Sequence, residues 1–145
     1  MIAYLDASAL VKRYVAEAGS ADVGGLVSQA EAVGTAIISR AEVAGALAKA
    51  VRMRLLPRDE AASALEVFNS EWESLVRLQM TEVLVSRAAS LAWDHGLRGY
   101  DAAHLAAAIF WQNMLGAPVT VASYDRQLWE AAKATGLIAW PESIP

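Results

Sequence analysis

Short apolar runs and longer segments with a helical repeat take turns along this chain. Ile2-Ala3-Tyr4-Leu5 is an apolar run that stops at Asp6, which reads as a buried strand. From Asp6 the repeat becomes helical, with Leu10, Tyr14 and Val15 on one side, until Gly19-Ser20 breaks it. A weaker helix starts at Ser20 and carries Gly24-Gly25 inside it, at about 1 kcal/mol each relative to alanine. Gly34 to Ile38 predicts a second strand. Ser39 then opens a helix with Glu42 three residues later, the spacing of a capping box. That helix turns Val43, Leu47 and Val51 inward and should end near Leu55-Leu56.

Pro57 suits the first turn of the next helix, with Asp59 and Glu60 at its positive end. Leu65, Phe68, Trp72 and Leu75 form a stripe at helical spacing, and a short strand falls within Val76 to Met80. A helix from Glu82 to His95 stops at Gly96. Asp101 opens the most apolar helix, which reaches Met114. The strand Val119 to Ala122 follows, then a helix from Asp125 stopped by Gly136, and a last strand from Leu137 to Trp140. Strands alternating with helices predict an α/β fold: a parallel sheet of four or five strands with helices on both faces. No repeat, low-complexity tract or linker divides the chain, so residues 1–145 read as a single domain.

Four acids in this layout, Asp6, Glu42, Asp101 and Asp125, stand where helices begin. Asp6, Glu42 and Asp125 also lie just past a predicted strand, at the sheet edge where function gathers in such folds. Periodicity alone does not put Asp101 there. Each acid has a structural explanation as well. Asp6, Asp101 and Asp125 can be N-caps, and Glu42 can close the box with Ser39. The two roles overlap, because a helix-start carboxylate on that edge can cap and coordinate. If the acids meet, repulsion of roughly 4 kcal/mol per pair at 4 Å must be relieved by protons or a cation.

Composition narrows the choice of cation. The chain has no cysteine and only two histidines, His95 and His104, which excludes disulfides, thiolate metal sites and cysteine nucleophiles. Carboxylate oxygen remains as the ligand, and it suits Mg²⁺ or Mn²⁺, whose usual chemistry is phosphoryl transfer. The hydrophobic share of 56% and mean hydropathy of +0.31 argue against disorder. A net charge of −4 argues against strong non-specific polyanion binding. Met1 to Leu5 is too short for a signal-peptide core, and the Ala102–Ala122 tract is too broken by polar residues for a membrane span. A cytoplasmic protein without a membrane partner is therefore expected. His104 on its apolar helix reads as a packed or supporting histidine, and the tryptophans read as core or interface.

The acids sit in segments that resemble PIN-domain ribonucleases of the VapC toxin type. Tyr4-Leu5-Asp6-Ala7-Ser8 resembles the opening motif, Ser39-Arg40-Ala41-Glu42 the second, Tyr100-Asp101-Ala102-Ala103-His104 the third and Ser123-Tyr124-Asp125 the fourth. They fall in family order and span nearly the whole chain. The departures are Ser123, where threonine is commoner, and a rather long stretch between Asp101 and Asp125. The resemblance implies a PIN fold and brings Asp101 to the other acids, so that Asp6, Glu42, Asp101 and Asp125 form a metal-binding quartet supported by Ser8. Ser39 is a further supporting hydroxyl, and Arg40 and Arg126 are candidate phosphate contacts. It also implies a metal-dependent endoribonuclease leaving a 5′-phosphate, and a homodimer blocked by a cognate antitoxin. Two rivals remain: a PIN-like binding module without activity, and a haloacid dehalogenase-type phosphatase. The second needs an Asp where Ser8 stands.

Overall fold

The computed structural model describes residues 1–144. Five strands, β1 (Ile2–Leu5), β2 (Ala32–Ala36), β3 (Val76–Leu78), β4 (Val119–Ala122) and β5 (Ile138–Trp140), form one sheet in the order β3-β2-β1-β4-β5. Every pairing is parallel, as the strand–helix alternation predicts. The helices are α1 (Ala7–Leu10), α2 (Ser20–Gln29), α3 (Ser39–Arg52), α4 (Arg58–Glu71), α5 (Glu82–His95), α6 (Gly99–Leu115) and α7 (Arg126–Ala134).

Period-two alternation in β1 divides the core. Ala3 and Leu5 join one apolar layer with α1 to α4, and Tyr4 joins the other with α5 to α7. Helix α6 is buried nearly all round, and its run of alanines lets it lie close to the sheet. Its Trp111 ring packs over Gly34 of β2, where a Cβ atom would fall 2.7 Å from the ring. Phe68 and Trp72 anchor α4, with their rings edge-to-face at 5.5 Å; Leu65 and Leu75 of the same stripe are only half-buried.

Several boundaries differ from the sequence expectation. The first helix is short: α1 gives way to a 3₁₀ turn at Val11–Arg13. Residues 14–19 leave the helix because Tyr14 turns onto Phe68, with centroids at 5.2 Å, while Lys12 Nζ donates to the Ala18 carbonyl at 2.8 Å. Strand β2 begins two residues earlier than expected, because Ala32 pairs with Ile2 at the start of the sheet. Ile37 and Ile38 belong instead to the turn, where the Ile38 carbonyl accepts from the Ala41 and Glu42 amides. The capping box does not form: Ile38 is the N-cap of α3 and makes no side-chain cap bond. Helix α3 stops at Arg52, followed by Arg54 in the left-handed region at φ 58°, and Pro57 is the N-cap of α4 rather than its first turn. Trp93 is not core; it is 89% exposed. No helix among the described residues is long and apolar enough to cross a membrane.

Candidate active site

Asp6 follows β1 directly and is 3% exposed. It is the N-cap of α1, with Oδ1 accepting from the Ala9 amide at 2.9 Å. Two serine hydroxyls clamp the same carboxylate. Ser8 Oγ donates to Oδ1 at 2.6 Å and Ser123 Oγ donates to Oδ2 at 2.5 Å. Each hydroxyl also accepts an amide from the loop after β4, Tyr124 N–H at Ser8 and Asp125 N–H at Ser123. Burial pushes the Asp6 pKa up; the nearby His104 and the hydrogen bonds from Ser123, Ser8 and Ala9 oppose that rise.

Asp125 is the N-cap of α7, with Oδ1 accepting from the Leu128 amide at 2.9 Å. Its Oδ2 accepts from Arg98 at 3.2 Å. The same guanidinium donates to Asp101 Oδ2 at 3.0 Å, so Arg98 spans the two acids, and its own pKa is raised by that hydrogen bond and by both charges. Asp101 is the third residue of α6 and makes no cap; Arg98, which does no side-chain capping either, precedes that helix. Glu42 sits in the first turn of α3 and accepts from His104 Nε2 at 2.7 Å. The four acids are thus strung along one edge, Asp6 to Asp125 through Ser123 and Asp125 to Asp101 through Arg98, with His104 electrostatically coupled to Asp6 and bonded to Glu42.

Ser39 is buried and shares a hydrogen bond with Thr35 at 2.6 Å, and Thr35 donates to the Leu5 carbonyl just before Asp6. That chain braces the end of β1 rather than touching Glu42. Arg40 lies over the Trp72 ring at 5.8 Å, and Arg126 donates to the Ile144 carbonyl at 3.0 Å and sits 3.8 Å from Glu130. Arg98, His104 and Tyr4 complete the site: the residue pattern marks Arg98 only as a cation near an acid and His104 only as packed or supporting, and it gives Tyr4 no role. The available signals were local: Arg98 and His104 each lie three residues from Asp101, and Tyr4 shares the period-two face that continues into Asp6.

The donor set is chemically suited to a hard divalent cation: carboxylate and hydroxyl oxygens, with no thiolate. As the side chains stand, no three His, Asp or Glu groups among the described residues converge closely enough to hold an ion. Arg98 supplies the positive charge between Asp101 and Asp125 in this arrangement.

Comparison with known proteins gives a consistent picture. The PIN domain family model matches residues 3–134. Ribonuclease VapC49 of Mycobacterium tuberculosis (strain H37Rv) is 34% identical over 144 residues, which covers 99% of this chain and 97% of that protein. The crystal structure of Mycobacterium tuberculosis VapC20, described as a sarcin–ricin loop cleaving toxin, aligns with a TM-score of 0.66 at 16% identity over 99% of each chain. VapBC2 from Rickettsia felis, solved bound to a DNA fragment from its promoter, aligns with a TM-score of 0.64 at 15% identity over 96% of this chain and 97% of that one. Matched by the family model over most of its length, and sharing a third of its residues end to end with a VapC ribonuclease, the chain belongs to the PIN-domain family in its VapC branch.

Proposed function

We propose that this protein is a divalent-metal-dependent endoribonuclease, the toxin of a toxin–antitoxin pair. The observation that carries this reading is the line of Asp6, Asp125 and Asp101, joined through Ser123 and Arg98 along one sheet edge with Glu42 held by His104 beside them, in a chain that shares a third of its sequence with a named ribonuclease. Asp6, Glu42 and Asp101 would hold Mg²⁺ or Mn²⁺ directly or through water, and Asp125 would hold a second ion or orient the attacking water. A cation bound there would supply an activated water and offset the charge that builds on the phosphate.

The chain's own residues do the rest. Ser8 and Ser123 fix the Asp6 carboxylate in one rotamer by bonding both of its oxygens. Arg98, 70% exposed and paired with Asp101 and Asp125, would offer a positive charge to the scissile phosphate at the same edge. Arg40 and Arg126 contact phosphates farther along the RNA. A cognate antitoxin closes the site by sending a basic side chain into the carboxylate edge. The protein works as a homodimer in the cytoplasm. Exposed apolar side chains such as Trp93, at 89%, and Met114, at 68%, leave surface for such contacts.

The test is cleavage of RNA in Mg²⁺ or Mn²⁺ by the wild type and by Asp6→Asn. The wild type should leave 5′-phosphate and 3′-hydroxyl ends and stop on chelation, and Asp6→Asn should not cleave while keeping its circular dichroism. An Asp6→Asn protein that cleaves like wild type overturns the assignment.

A further inference from the structure

His104 takes no part in the chemistry above, yet it is 2% exposed and both of its ring nitrogens are engaged. Nε2 lies 2.7 Å from Glu42 Oε1, and Nδ1 lies 2.7 Å from the Tyr4 hydroxyl, itself fully buried. The contacts join three elements, β1, α6 and α3, across the centre of the site. The tyrosine and imidazole rings meet edge-on, at 5.9 Å and 72°.

With the imidazole neutral, the chemistry of the groups selects one order of protons. An ionised carboxylate can only accept, so Nε2 carries the hydrogen toward Glu42. A neutral imidazole has one N–H, which leaves Nδ1 as an acceptor. Tyr4 must then donate. A tyrosine hydroxyl keeps its proton at neutral pH. The order Tyr4 O–H to Nδ1, then Nε2–H to Glu42, gives each of the two hydrogen bonds one donor and one acceptor.

We propose that Tyr4 and His104 are positioning residues, a buried relay that commits Glu42 Oε1 to the imidazole and leaves Oε2 turned to the cation. Among the described residues only Oε1 of Glu42 receives a hydrogen bond, so the second oxygen is available. This deepens the nuclease reading and rests on it. Ligating groups are commonly oriented by such outer partners, whose loss lowers metal affinity or activity by about 10–100-fold. Helix α3 alone does not fix Glu42, because its side chain is on the first turn and partly exposed.

The experiment measures Mn²⁺ binding by calorimetry on the full-length, metal-free protein, for wild type, His104→Leu and His104→Gln. The Leu variant should bind about 10–100-fold more weakly. The Gln variant, whose amide N–H can take the place of Nε2–H, should recover most of that loss. A general packing role would not predict rescue by a polar, flexible side chain. Should the Leu variant fail to fold, nitrogen NMR of the wild-type imidazole decides: a proton on Nε2 supports the relay, and an Nε2 without one overturns it. Wild-type binding with an equally tight His104→Leu also overturns the relay, and leaves the nuclease reading intact. A wild type that takes up no Mn²⁺ sinks both.

Discussion

Asp6 is where the proposed metal role and stability oppose each other most directly. Its carboxylate is buried among neutral donors, and burial raises its pKa above the ordinary carboxylate value. A carboxyl whose folded pKa is raised favours the folded state below its unfolded pKa and loses that contribution as pH rises through the folded value. Above its folded pKa the metal-free protein therefore carries an ionised buried group at a cost. Asp6→Asn keeps an oxygen for the Ala9 amide and removes the charge. In a chelator, its melting temperature should exceed that of wild type at about pH 7, and the gap should shrink toward about pH 4, where both side chains approach neutrality. Thermal melts across that range check the sign, and a gap that does not change with pH would refute it. Arg98 illustrates the same balance on the exposed side, standing as a cation between Asp101 and Asp125.

The contact of α6 with β2 decides whether the site assembles. Gly34 faces Trp111, and a methyl group there would fall 2.7 Å from Cζ3 and 2.8 Å from Cη2 of a ring that is 4% exposed. The buried ring or helix α6, which carries it along with Asp101 and His104, must then shift. Gly34→Ala should cost about 1–3 kcal/mol in chemical denaturation. Gly45, on an exposed position of α3 where an added methyl group would meet no heavy atom within 4 Å, is the control. There Gly45→Ala should stabilise by about 0.5–1 kcal/mol through helix propensity. Equal effects at the two positions would rule out the Trp111 contact as the cause.

For the whole molecule, the acids come from residues 6, 42, 101 and 125, so a shared cation would tie β1, α3, α6 and α7 together. A ligand that binds only the folded state stabilises it by mass action, about 2.7 kcal/mol at one hundred times its dissociation constant. Mn²⁺ should therefore raise the melting temperature of the wild type and leave Asp6→Asn nearly unmoved. Hydrogen exchange should slow in segments from both halves of the chain. Protection confined to one helix would mean that the ion sits on a local cluster instead.

Much of this was readable from local pattern. Short apolar runs located β1 and β4, glycine stops located the ends of α5 and α6, and the alternation of elements predicted a parallel sheet, because these are short-range consequences of side-chain direction and backbone freedom. The four acids were also visible, since a helix start is a local feature. Local pattern misplaced β2, whose limits depend on which residue of β1 it pairs with, and it predicted a box at Ser39 that Thr35 prevents by taking the serine hydroxyl. Nor could it assign a partner to His104: the imidazole meets Tyr4 and Glu42, 100 and 62 positions away. Hydrogen bonds of that kind are set by which faces pack together, and only the assembled sheet with α6 across it brings those side chains within reach.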